Sequence, residues 1–237
     1  MLRSGATLSK KTFVYTGCEN LEAMTEAVNY NNFLISLILR QLKKKNAKVL
    51  DFGAGSGTYA KMLKEHYVTP DCLEPDEALQ GELKKAGFKV LKSNKELKPN
   101  TYDVIYALNV FEHIEDDFAE IAKLREALKK GGRLVIYVPA YQALFSSMDE
   151  QVGHYRRYRT KRLKQMAQQG GLKIRGLYYY DPLGFGAALV YKWVGGSGTL
   201  TPGSVRLYDR IAFPVSRAFH PLSKKLIGKN AVLVAEK

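Results

Sequence analysis

Two stretches of this chain carry residues able to do chemistry. In VLDFGAGSGTYA (49–60), Asp51, Gly53, Gly55 and Gly57 fall where a short apolar run gives way to a helical pattern. Such a turn lets backbone N–H groups close on a ligand, and the helix that follows favours a carboxylate or phosphate at its N-terminus. Glu74 ends the next apolar run, where an acid can accept hydrogen bonds from both hydroxyls of a ribose. The plainer alternative is that Glu74 caps the helix PDEALQGELKK. Together the two signals point to a nucleoside-bearing ligand. It is not a dinucleotide by the usual fingerprint, because Thr58 holds the place of the last glycine in G-x-G-x-x-G, and no G-K-[ST] closes a phosphate loop.

The second stretch is PAYQALFSSMDEQVGHYRRYRTKRLKQM (139–166). It follows an apolar strand and so leaves the sheet at the edge where open α/β sheets bind ligands. His154 is a candidate general base and Asp149 its orienting partner. Arg156, Arg157 and Arg159 offer forked donors for phosphate or carboxylate, and Tyr155 and Tyr158 offer rings to stack on a sugar or base. The competing reading is a solvated helix start with Thr160 as N-cap. His113, in FEHIEDD, is a second histidine, read as structural or adjacent to the nucleoside ligand.

Alternating strands and helices must position these groups. KVLDFG, the run into CLEPD, FKVLKSN, YDVIYALN and RLVIYVPA read as strands, with helices TYAKMLKEH, EALQGELKKAG and DDFAEIAKLREALKKGG between them, the last stopped by Gly131. Near-continuous apolar strands mean a mostly parallel sheet covered on both faces, hence a doubly wound α/β fold. LKIRGLYYYD and NAVLVAEK extend the sheet. We divide the chain into a helical cap over the ligand site (1–46) and a main domain (47–237). The latter includes an acceptor segment (142–169) and an apolar, basic insertion (182–229).

The chain has 237 residues, enough for one sizeable core, and a net charge of +14. The positive excess lies in the flanks, 1–48 and 142–237, while 49–141 is nearly neutral, so an anionic partner is expected to meet the flanks. Two cysteines, Cys18 and Cys72, form neither a disulfide framework nor a zinc site, and a reducing, cytoplasmic setting is expected. No metal is expected. The N-terminus lacks an apolar signal segment, and FLISLIL and LGFGAALVYKWV are too short to span a bilayer. A soluble or membrane-peripheral protein follows.

VLDFGAGSGTYA, CLEPD and YDVIYALNVFEHIEDD, in that order, resemble the successive motifs of class I S-adenosylmethionine-dependent methyltransferases over about residues 47–140. The resemblance implies a Rossmann-like seven-stranded sheet, mostly parallel with the last strand antiparallel, and S-adenosylmethionine at the C-terminal strand edges. It implies that Asp51 lies beneath the glycine loop near the methionine portion, and that Gly53, Ala54, Gly55 and Gly57 line the ligand. It places Glu74 on the ribose, Pro75 beside the adenine, Asn94 at the adenine edge and Asn109 near the sulfonium. Many relatives carry an aspartate after the third strand, where this chain reads KSNKEL.

YTGCENLEAMTEAVNYNNFL, LFSSMDEQVGHYRRY and the insertion before NAVLVAEK resemble a narrower branch associated with bacterial envelope glycan or lipid-linked saccharide assembly. That implies an anionic small-molecule or lipid-linked acceptor. The insertion suits a membrane-surface segment, and a homodimer interface or a lid explains it equally. Two alternatives stand beside this one: an RNA methyltransferase, suggested by the basic flanks, and a protein that binds the cofactor without catalysis. No RNA-binding module or N-P-P-[YF] loop accompanies the core, so nucleic acid is the weaker partner.

Overall fold

In a computed structural model of the chain, residues 25–193 and 201–237 are described. Seven strands form one sheet: β1 (Val49–Phe52), β2 (Asp71–Leu73), β3 (Val90–Leu91), β4 (Tyr102–Leu108), β5 (Leu128–Pro139), β6 (Lys173–Tyr180) and β7 (Asn230–Glu236). Their order is β3-β2-β1-β4-β5-β7-β6. The first five pair in parallel, and β7 lies antiparallel to both β5 and β6, inserted between them. The doubly wound, mostly parallel fold with an antiparallel last strand is therefore as expected.

The helices are α1 (Val28–Leu39), α2 (Thr58–Glu65), α3 (Glu77–Lys85), α4 (Asp117–Ala127), α5 (Ser147–Gln151), α6 (Thr160–Gln169), α7 (Pro182–Trp193), α8 (Pro202–Leu207) and α9 (Phe213–Ser223), with a π-turn over Tyr208–Ala212 joining the last two. Alternate strand residues feed opposite faces of the sheet, as the two-residue period of a strand requires. Leu50, Ile105, Leu134 and Ile136 pack with Ile121 and Leu124 of α4 and Leu163 and Met166 of α6. Val49, Val104, Val135 and Tyr137 pack with Phe33, Leu34 and Ile38 of α1, Leu63 of α2 and Phe213 of α9.

Two local expectations are corrected. Helix α4 ends at Ala127, not at Gly131, because Leu128 is already extended (φ −69°, ψ 141°) and pairs with Tyr102; Gly131 sits within β5. Thr160 is the first residue of α6 rather than its cap, and the N-cap position belongs to Arg159, without a side-chain cap bond.

The 182–229 insertion is tied down by buried acids. Asp181 accepts from the Tyr208 and Ser216 hydroxyls and from the Gly184 amide. Asp209 accepts from the Asn29 and Tyr30 amides at the start of α1, satisfying N–H groups that a helix N-terminus leaves open. The opposite side stays uncovered: Leu207, Ile211, Val215, Phe219, Leu222 and Leu226 are exposed along one face, with Arg206, Arg210 and Arg217 beside them. Of the 1–46 cap, α1 packs on the sheet while residues 1–24, including YTGCENL, lie outside the described residues.

Candidate active site

One cavity of about 550 Å³ opens at the C-terminal ends of β1, β2 and β4 and is bordered by both chemistry-bearing stretches. Its first end is built from backbone. The Gly53 and Ala54 amides donate to the Leu73 carbonyl, which joins the glycine loop to β2. Gly53 has φ +78°, and a Cβ there would stand 2.6 Å from Val110 Cγ2, so only glycine fits. Glu74 Oε2 accepts from the Gly55 amide at 2.8 Å and Oε1 from the Asp76 amide at 2.9 Å. Each oxygen keeps a lone pair for a further donor. The helix cap is Asp76, whose Oδ1 takes the Ala78 and Leu79 amides, so Glu74 is not the capping residue.

Asp51 lies at the floor, 3% exposed, with Oδ2 unpartnered. Burial pushes its carboxyl up to about 7, with the Glu74 charge adding to the rise. Burial raises Glu74 as well. Two buried acids facing a cavity fit a ligand that brings positive charge and paired hydroxyls. A ligand bearing an ammonium, a sulfonium and a ribose diol matches that donor set.

Pro75, Ala54, Gly55, Asn94 and Asn109 border the cavity too. Asn94 spends its amide NH₂ on both Glu120 oxygens, at 3.0 and 2.7 Å, leaving its carbonyl oxygen as an acceptor. Asn109, at φ +54°, directly follows β4, its backbone amide donating to the Tyr137 carbonyl. Gly57 is the exception. It does not border the cavity; its left-handed φ of +80° starts α2, and a Cβ there would meet Leu83 Cδ2 at 2.6 Å. A side chain at this position would collide with the packing of α2 on Leu83.

The second end is built from side chains. Asp149, 1% exposed, caps α5 by accepting from the Ser146 amide and takes both Arg157 Nε (2.9 Å) and Nη2 (2.8 Å). Its Oδ1 also meets His154 Nδ1 at 2.7 Å. Burial opposes its ionisation, but the bonds from His154 and Arg157 win and hold the carboxyl well below the usual range. An ionised Asp149 only accepts, so His154 Nδ1 carries a proton toward it, and in the neutral form of the ring Nε2 is then the acceptor.

Glu112 follows β4 in the turn Phe111–His113, buried, with neither carboxylate oxygen partnered. Burial lifts it to about 8. His113 stands edge-on to His154 at 4.6 Å between ring centroids, and burial and His154 bring it down to about 4. Arg157 Nη1 is buried without a partner, and Lys229, lowered by burial, borders the same space.

GHYRRYR therefore divides. His154 and Arg157 face the cavity; Tyr155, Arg156 and Tyr158 do not. Tyr158 is fully buried, its hydroxyl 2.8 Å from both the Phe111 carbonyl and Asp117 Oδ2, two acceptors that share its one proton. Arg156 donates to the Ile114 and Glu115 carbonyls and lies 3.4 Å from Asp117. Tyr155 is exposed under the Arg156 guanidinium, and Arg159 sits over the Tyr141 ring. The substrate roles expected of Tyr158 and Arg156 are corrected, because a buried acid at the start of α4 recruits both. Glu112 and Lys229 are new to the site; the acid between Phe111 and His113, directly after a strand, was the one available signal.

A family model described as a methyltransferase domain matches residues 26–177. An uncharacterized methyltransferase of Geobacillus sp. (strain WCH70) is 31% identical over an alignment of 122 residues that covers 48% of this chain and 55% of that protein, so the match spans about half of the curated relative's length. Among solved structures, a SAM-dependent methyltransferase from Archaeoglobus fulgidus has a TM-score of 0.58 at 18% identity, covering 87% of this chain and 94% of that one. A possible histamine N-methyltransferase from Thermotoga maritima has a TM-score of 0.64 at 16% identity, covering 93% and 95%. At these identities the likeness is one of fold.

Proposed function

The chain belongs to the methyltransferase-domain family of class I S-adenosylmethionine-dependent enzymes, and from that premise we propose that it moves a methyl group to a hydroxyl of an anionic acceptor, small or lipid-linked. The observation that carries this reading is the Asp149–His154 pair, 2.7 Å from Oδ1 to Nδ1, set in the same cavity as the glycine loop and Glu74. S-adenosylmethionine supplies an electrophilic methyl group whose transfer removes the sulfonium charge. The chain's own task is then to hold donor and acceptor in line. Gly53, Ala54 and Gly55 shape the bed, Glu74 takes the ribose hydroxyls, Asp51 faces the methionine portion, and Pro75, Asn94 and Asn109 border the adenine and sulfonium ends. A hydroxyl acceptor must lose its proton as it attacks, and His154 Nε2 receives it while Asp149 steadies the imidazolium. Arg157 Nη1, buried and unpartnered, is the donor offered to the acceptor's anionic group.

The exposed face of the insertion supports a lipid-linked acceptor. Leu207, Ile211, Val215, Phe219, Leu222 and Leu226 form an apolar stripe flanked by arginines, with no acidic residue between Asp209 and Glu236. No helix among the described residues is long and apolar enough to cross a membrane, and contact at the surface of an anionic bilayer suits this pattern.

Purified protein given labelled S-adenosylmethionine and fractionated lysate is expected to label an anionic lipid or small-molecule fraction in alkali-stable, ether-type linkage. Label entering RNA or protein alone, or no transfer with the cofactor bound, overturns the reading.

A further inference from the structure

Methyl transfer leaves Glu112 without a task. Its carboxylate is 1% exposed, borders the cavity and has no hydrogen-bond partner on either oxygen, an arrangement costly to keep unless a cation or donor arrives. His154 presents Nε2 to the same space, 3.9 Å from Glu112 Oε1, beyond hydrogen-bond reach. One ligand atom each from Glu112, His113 and His154 lies within 4.8 Å of the other two. We propose that these three side chains bind a divalent transition-metal ion at the acceptor end of the cavity.

The geometry is close to what an ion needs. Donors about 2.0–2.2 Å from a common centre lie roughly 3–3.5 Å apart, so side-chain shifts of about 1 Å close the set. Two imidazoles and one carboxylate suit Mn²⁺, Fe²⁺, Co²⁺ or Zn²⁺ better than the oxygen-seeking Mg²⁺ or Ca²⁺, and leave positions open for an incoming oxygen.

Outer partners are already in place, as they are around metal-binding imidazoles. Asp149 Oδ1 holds His154 Nδ1 and turns Nε2 toward Glu112, and His113 is held by the backbone of Val152 and Gly153. Arg157 is already paired with Asp149 through Nε and Nη2, and Lys229 borders the same space. Glu112 is the acid at this end with neither oxygen partnered, and an arriving cation would displace the proton that burial lets it keep.

The proposal rests on the reading of this end as the acceptor side and names the acceptor more closely. An ion with open positions selects a hydroxyl with a second oxygen beside it, as in a vicinal diol or a hydroxy acid. With the ion bound, His154 Nε2 would be a ligand rather than the base, and the ion would lower the hydroxyl's pKa so that its proton passes to solvent water before the oxygen attacks.

The test needs no turnover. Tag-free full-length protein, stripped with chelator, is titrated with Co²⁺, Mn²⁺ and Zn²⁺ by calorimetry, and Co²⁺ binding is also read by visible absorption. One ion per chain is expected. Binding should weaken about 100-fold or more in Glu112→Gln and in His113→Ala, and about 10–100-fold in Asp149→Asn. S-adenosylhomocysteine should bind all three variants as it binds the parent, showing that they fold. No ion uptake by the parent at about 1 mM, or uptake that survives both Glu112→Gln and His113→Ala, overturns the site. Methyl transfer that persists in chelator and still requires His154 sinks the ion alone. Ion binding with no transfer to any fraction sinks the activity alone.

Discussion

The two ends of the cavity are made in different ways. The donor end is a matter of backbone: positive φ at Gly53, amides aimed by β1 and β2, and an acid, Glu74, that fixes the loop through the Gly55 amide. The acceptor end is a matter of charged side chains brought from separate segments. Glu112 follows β4, Asp149 and Arg157 follow β5, and Lys229 precedes β7. A backbone cradle depends on a few local conformations and tolerates almost no substitution at them. A side-chain network depends on a hub, here Asp149, and fails when the hub's partners are removed singly.

That contrast is breakable at four points. The largest effect is expected from His154→Ala, which should lower turnover about 10²–10⁴-fold and leave S-adenosylhomocysteine affinity unchanged by calorimetry; a parallel loss of both would merge the two ends into one unit. Gly53→Ala should do the reverse, weakening cofactor binding about 10–100-fold through left-handed strain and collision with Val110. Adding Val110→Ala should relieve the collision and not the strain, so only part of the affinity returns.

Tyr158→Phe should cost about 1–2 kcal/mol in chemical denaturation, because its hydroxyl serves two buried acceptors, with KM unchanged. A raised KM at full stability would put the ring back at the substrate. The last effect concerns Glu112 in metal-free protein, where burial lifts its carboxyl to about 8. A raised carboxyl means the folded state holds a proton that the unfolded state has shed, so stability falls as pH climbs from about 4.5 to 8. Glu112→Gln removes that slope. Its Tm should exceed the parent's at pH 8 by a few degrees, and the gap should close by pH 5.

The glycine-loop end was legible because its residues come together close to where they stand in the chain. A glycine cluster after an apolar run and an acid one strand later describe a turn and its partner with no need of distant contacts. Gly57 was the exception, since a left-handed glycine at a helix start looks the same whether it faces a ligand or, as here, Leu83. GHYRRYR was only half legible for a different reason. Arginines and tyrosines suit solvent, an anionic ligand and a buried carboxylate alike, and nothing local says which. Asp117 claims Tyr158 and Arg162 with Arg156 close by, and Asp149 claims Arg157. Asp117 reads as an ordinary helix-start residue until the fold buries it, and Asp149, expected to orient His154, gives no sign in sequence that it also takes Arg157. Gly131 misled similarly: it reads as a helix stop, while pairing of Leu128 with Tyr102 had already ended α4.

Asp209 grips the amides of Asn29 and Tyr30, and Tyr30 borders the cavity. The exposed stripe and one wall of the cavity are thus linked through Asp209, with the Tyr30–Phe213 ring contact beside it. A docking event that displaced the π-turn would bear on Tyr30, and any such coupling would have to run both ways. Asp209→Asn would weaken that link.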